Sequence, residues 1–102
     1  MQVILMNDVR EFLKTKEKFV RVRAIKYLAL LEDQGHMLRM PYSRNILPGI
    51  FELRVTGKNN LRLVYTFRDG AALVFYGFAK KTEEISLKDI RLISAIFESL
   101  QL

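Results

Sequence analysis

Pro48 to Lys81 reads PGIFELRVTGKNNLRLVYTFRDGAALVFYGFAKK, and its turn residues divide it into three strands. Gly49 to Thr56, Leu61 to Arg68 and Ala71 to Ala79 are filled with β-branched and aromatic residues, which suit a pleated, half-buried surface. Lys58-Asn59-Asn60 is expected to close the first hairpin. Asp69-Gly70 suits a two-residue turn of type I′, because both residues tolerate positive φ. That turn sets Phe67 opposite Ala72 and Tyr65 opposite Val74. Strict alternation then sets Leu63 opposite Tyr76 and Leu61 opposite Phe78. A three-residue first loop puts Val55 opposite Leu63 and Leu53 opposite Tyr65. All of these residues share one face, and it is almost wholly apolar.

The other face collects Glu52, Arg54, Arg62, Val64, Phe75 and Gly77, and Lys81 joins them if the third strand keeps its period. Arg62 is expected across from Gly77, where no side chain blocks access. A sheet with one oily and one cationic face calls for helices on the first side. The second side is left for an anion. On this reading Arg62 is a surface residue, and Arg62→Ala leaves the fold intact.

Working outward, Gln2 to Leu5 is a candidate short strand. Asn7 or Asp8 caps a helix that ends near Thr15, with Val9, Phe12 and Leu13 as its apolar stripe. Val20, Ala24, Tyr27, Leu28 and Leu31 recur at helical spacing between Lys18 and Gln34, and Gly35 stops that helix. Arg10, Lys14, Lys16, Lys18, Arg21, Arg23 and Lys26 read as a solvated helix face before a dedicated binding stripe. His36 to Leu47 is expected to be irregular, with His36 in a structural role. Ser86 and Asp89 open a last helix in a capping-box-like start. Its stripe of Ile90, Ile93, Ile96, Phe97 and Leu100 is broader than a small sheet needs, which suggests a partner surface.

The chain has 102 residues, half of them hydrophobic, and a net charge of +6. Residues 1–102 are therefore expected to form one domain. There is no cysteine and one histidine, so neither a thiolate nor a multi-histidine metal site is available, and no cofactor is expected. No apolar run reaches about 18 residues, so no membrane partner is expected. The start MQVILMNDVREF lacks the basic region and cleavage site of a signal peptide, which makes the cytoplasm the expected compartment. The positive charge points to a nucleic acid or an acidic protein.

Three blocks of residues carry a resemblance. They are Pro41-Tyr42-Ser43 with Leu47-Pro48-Gly49-Ile50-Phe51-Glu52-Leu53-Arg54, then Leu61-Arg62-Leu63-Val64-Tyr65, then Gly77-Phe78-Ala79-Lys80-Lys81-Thr82. In this order the chain resembles the RelE/ParE/HigB superfamily of bacterial toxin–antitoxin toxins, in particular its phage-derived HigB-like branch. The resemblance runs from about Val9 to Ile96. It implies an α+β fold: a small antiparallel sheet with two N-terminal helices on one face, and a C-terminal helix. It implies a metal-independent endoribonuclease that cuts messenger RNA on the ribosome and inhibits translation. A cognate antitoxin, often of helix-turn-helix type, is the implied partner, in a toxin homodimer or a toxin–antitoxin heterotetramer. The ParE branch inhibits DNA gyrase on the same fold, and an inactive relative that binds antitoxin and operator DNA is a further alternative. RelE-type enzymes carry a tyrosine soon after the basic pair. Thr82-Glu83-Glu84-Ile85-Ser86-Leu87 has none.

Metal-free RNA cleavage needs an oriented 2′-hydroxyl, charge stabilisation at phosphorus and a proton for the leaving 5′-oxygen. Arginine forks onto phosphate oxygens and is always charged, so Arg54 and Arg62 are the candidate stabilisers. Lysine donates a proton only when its pKa is depressed, as clustering of cations does. Lys81 or Lys80 is the candidate donor. Glu52 is either the base or a salt-bridge partner that orients Arg54. Arg54, Arg62, Lys80, Lys81 and Lys58 form the candidate RNA-binding set.

Overall fold

A computed structural model describes residues 1–57, 60–82 and 84–101. The elements are β1 (Gln2–Leu5), α1 (Asn7–Lys14), α2 (Lys18–Gln34), a single 3-10 turn (Gly35–Met37), β2 (Ser43–Leu47), β3 (Ile50–Val55), β4 (Leu61–Arg68), β5 (Ala71–Ala79) and α3 (Leu87–Leu100). They build an α+β fold around a five-stranded mixed sheet of order β1-β5-β4-β3-β2. Among the described residues only β1 runs parallel to its neighbour, β5; the other pairs are antiparallel.

The β4–β5 hairpin closes as expected. Asp69 and Gly70 have φ of 52° and 77°, and Phe67↔Ala72 and Tyr65↔Val74 are partners. Beyond that the register departs from strict alternation. A bulge at Phe75 makes Tyr76 the partner of Val64, Gly77 of Leu63, Phe78 of Arg62 and Ala79 of Leu61. An extra residue in one strand exchanges the faces of everything beyond it. Gly77 therefore lies on the helical side, where a Cβ would come within 2.6 Å of Phe12. Tyr76 and Phe78 lie on the opposite side. Arg62 faces Phe78, not Gly77.

The β3–β4 pairing is also shifted: Val55 meets Leu61, Leu53 meets Leu63 and Phe51 meets Tyr65. The shift is two residues, so every face is kept. Of the expected Lys58-Asn59-Asn60 loop, Lys58 and Asn59 lie outside the described residues. The stretch read as irregular contains β2. Its Leu47 pairs with Ile50 across Pro48-Gly49, and Gly49 has φ of 74°. Proline with a following positive-φ glycine is a turn signal that sets a strand on either side.

Two cores sandwich the sheet. On one side Val9 and Leu13 of α1 and Val20, Ala24 and Leu31 of α2 pack on Leu53, Val55, Leu61, Leu63 and Tyr65. On the other, Ile93 of α3 packs with Ile50, Val64, Phe75 and Phe78, and Ile96, Phe97 and Leu100 lie against them. The second side is therefore not left open along its length, because α3 covers part of it. Ser86 caps α3 by accepting the Asp89 N–H at 3.1 Å, as the sequence suggested. Met6, rather than Asn7 or Asp8, is the N-cap of α1.

Candidate nucleic-acid interface

Beyond the patch that α3 covers, the same face turns from apolar to charged within one alternation step. Ile50 is followed by Glu52 and Arg54 on β3, Val64 is preceded by Arg62 on β4, and Arg44 of β2 pairs with Glu52. Arg54 and Arg62 are directly opposite each other. Like charges in that position repel, so a counter-charge is needed to hold them.

Glu52 supplies it. Its carboxylate is fully buried and lies 3.0 Å from Arg44 Nη2 and 3.6 Å from Arg62 Nε. Its partners are thus Arg44 and Arg62, not the expected Arg54. Arg62 is 4% exposed, so the expectation of a surface arginine is overturned. Its Nη1 donates to Leu61 O at 3.1 Å. Burial lowers the Arg62 pKa first of all; Glu52 opposes this, and Arg54 and Arg44 add to it. Arg54 is half-buried, with Nη1 at 3.2 Å from Met40 Sδ. Arg54 Nε, Arg62 Nε and both Glu52 oxygens are out of solvent without a well-aligned hydrogen bond. Such groups are costly to keep.

The bulge decides which lysine joins. Lys80 is the one that senses the cluster: burial lowers its pKa, Glu52 opposes, and Arg62, Arg44 and Arg54 lower it further. Lys81, one residue on, is exposed. It lines, together with Lys80, a groove walled by Phe12, Tyr76, Lys88 and Leu92. Lys58 lies outside the described residues. Arg44 was missed, because Ser43-Arg44-Asn45 has weak strand propensity. The Pro48-Gly49 turn is the signal that would have folded it back beside Glu52.

Of the tyrosines near this end, Tyr76 donates its hydroxyl to Asp89 Oδ1 at 2.6 Å. Burial, then the bond and charge of Asp89, push its pKa up. It is held as a neutral donor and is unsuited to act as a base. The cluster can bind an anion on Arg44, Arg54 and Lys80 while Glu52 fixes Arg44 and Arg62. A lysine of lowered pKa beside that anion can release a proton. Among the described residues, no helix is long and apolar enough to cross a membrane.

A family model described as "Phage derived protein Gp49-like" matches residues 11–98. Three solved structures share the architecture. The isolated E. coli RelE toxin superposes with a TM-score of 0.64 at 14% identity, over 90% of this chain and 97% of RelE. The YoeB–YefM complex from Staphylococcus aureus gives 0.60 at 15% identity, over 79% of this chain and 98% of the matched one. The archaeal RelE–RelB complex from Pyrococcus horikoshii OT3 gives 0.59 at 14%, over 76% and 92%. At these identities the likeness is one of fold. No curated protein is significantly similar in sequence.

Proposed function

The chain belongs to the phage-derived Gp49-like family, and from that membership we propose that it is the toxin of a toxin–antitoxin pair, a ribosome-dependent endonuclease that cuts messenger RNA without a metal. The observation that carries this reading is the buried Glu52 between Arg44 and Arg62, with Arg54 and Lys80 beside it. A buried ion pair contributes little net stability. Its use here is to hold several cations at one end of a sheet where phosphate can reach them.

In the proposed step the 2′-hydroxyl gives up its proton to solvent water as it attacks the adjacent phosphorus, the bond to the 5′-oxygen breaks, and a cyclic phosphate and a 5′-hydroxyl form. Arg54 and Arg44 contact the phosphate oxygens and offset the charge that builds up on them. Lys80 gives its proton to the leaving 5′-oxygen. Glu52 and Arg62 position the other groups from beneath. Lys81 is exposed and binds RNA beside the site. The ribosome holds the RNA in line, which this shallow surface does not do alone. The complexes of RelE with RelB and of YoeB with YefM support a protein partner, the antitoxin, for this chain as well.

Induction in a bacterial host tests the target. Translated messages should be cut within codons while plasmid supercoiling stays normal, and growth should stop. Intact messages together with gyrase-trapped DNA breaks would overturn the reading in favour of gyrase.

A further inference from the structure

β2 ends the sheet on the side away from β1. Where the chain leaves α2, passes through the 3-10 turn and enters β2, it leaves a cavity of about 350 Å³, a size common among small-molecule sites. His36, Phe51 and Phe67 give it an aromatic lining, and Arg39 and Arg44 give it charge. Among the described residues no acid lines it. Arg44 joins this cavity to the charge cluster, since it lines the one and lies 3.0 Å from Glu52 in the other.

The rings are arranged as plates. Phe51 stacks on Tyr65 with ring centroids 5.5 Å apart, and His36 lies on Phe67 at 3.8 Å. Phe67 covers one face of the imidazole, and His36 is otherwise exposed. Ser43 Oγ and Tyr65 Oη, both in the lining and both buried, share a hydrogen bond. Whichever hydroxyl accepts still carries its own hydrogen, and neither has a second partner among the described residues. Arg39 is tied to the backbone through Nη1, which donates to His36 O at 2.6 Å. Its other N–H groups face no carboxylate among the described residues. Its charge reaches the hydroxyls: burial pushes the Tyr65 pKa up, and the Ser43 bond and then Arg39 oppose it. Aromatic plates, a spare O–H and two cations match the parts of a nucleotide. The base stacks, a ring oxygen or nitrogen accepts the hydrogen, and the phosphate meets the arginines. An aliphatic ligand makes no use of the plates, and a cationic one is repelled.

We propose that this cavity seats one unstacked base of single-stranded RNA, with the phosphate of that nucleotide on Arg39 and Arg44. A strand whose scissile phosphate rests on the cluster turns a neighbouring base over the β2 edge to reach it. This rests on the proposal that RNA is cut at the Glu52 cluster, and it adds a second place on the chain where the strand is held and its sequence read.

The probes are the four ribonucleoside 5′-monophosphates, ribose 5-phosphate, and a tetranucleotide in which the best-bound base is flanked by uridines. Each is titrated into the full chain and followed by NMR. At least one mononucleotide should saturate, shift the ring signals of His36 and Phe51, and bind at least about fivefold more tightly than ribose 5-phosphate, the lower end of what one base–aromatic stack contributes. His36→Ala, an exposed change, should erase that preference and leave ribose 5-phosphate as it was. Arg39→Gln should weaken nucleotide and sugar phosphate alike, by about 2- to 5-fold. The tetranucleotide should bind more tightly than its mononucleotide and lose that gain with Arg54→Gln, because it reaches both places at once. No saturation, or a nucleotide that binds no better than ribose 5-phosphate, would overturn the inference. So would a mononucleotide that binds where the tetranucleotide does not, which would assign the cavity to a free nucleotide. A chain that cuts messages but binds no nucleotide loses only this inference; one that binds them and cuts nothing loses only the proposed activity.

Discussion

The two faces of β3 and β4 are buried to the same depth and by opposite chemistry. On the helical side Leu53 and Leu63 are 0% exposed; one residue along, on the other side, Glu52 is 0% and Arg62 4% exposed. Burying each leucine stabilises the fold by about 1.5–3 kcal/mol. Burying the ion pair costs several kcal/mol per ion before the attraction offsets it. Equal burial therefore does not mean equal purpose. The apolar face holds the sheet together, whereas the charged end gives up stability to hold Arg44 and Arg62 on one acid, with Arg54 and Lys80 nearby.

That contrast can be broken most directly at the ion pair. Glu52→Ala should cost about 3–5 kcal/mol in denaturant unfolding, because it leaves the buried Arg62 unpaired, and Arg62→Ala should cost less, because Glu52 keeps Arg44 as a partner. The double change Glu52→Leu/Arg62→Met should recover all of that loss or more, yet leave no cleavage. If the double variant cut RNA normally, the charged end would be structural after all.

Arg54→Gln separates the two purposes from the other side. As a half-buried donor to phosphate it should slow single-turnover cleavage at saturating ribosome by about 10²–10³. Its melting temperature should stay near that of the parent. Full cleavage at saturation would remove Arg54 from the site.

Gly77→Ala probes the apolar side. The added Cβ meets Phe12 at 2.6 Å, and overpacking of that kind should cost about 1–3 kcal/mol. Phe12→Ala in the same chain should relieve the clash, so the two changes should combine for less than the sum of their separate costs. Simple additivity in urea melts would count against the contact.

The smallest effect belongs to Lys80. Its pKa is lowered, chiefly by burial. If it donates the proton, cleavage falls as pH rises through that lowered value, earlier than an ordinary lysine near 10.5 would allow. Lys80→Arg keeps the charge and should flatten this alkaline limb while reducing the rate at neutral pH. An unchanged pH profile would pass the donor role to another group.

The elements were legible wherever alternation and turn chemistry agreed. β4, β5, α2 and the Ser86 cap follow from the residues alone. The β3 register slipped by two without harm, because period-two faces survive an even shift. The bulge at Phe75 was not legible. Phe75, Tyr76 and Phe78 are aromatic, so hydrophobic pattern gives no preference for either face. That hid the fact that Lys80, not Lys81, joins the cluster. Burial of Arg62 was hidden as well, since it depends on Glu52 and on Arg44, whose strand has few β-forming residues. Glu52, Arg54 and Arg62 were legible as one face; the partner that binds them to each other was not.

The pairing of Gly77 beneath Phe12 also bears on folding fidelity. Were the bulge to anneal into regular alternation, Tyr76 and Phe78 would turn toward α1 in place of Gly77 and Ala79. Phe12 would then meet a ring where it now meets a hydrogen, and α1 could not close. The glycine is thus compatible with the docked α1 only in the bulged register. With β5 paired out of register, the first helix could not dock as it does here.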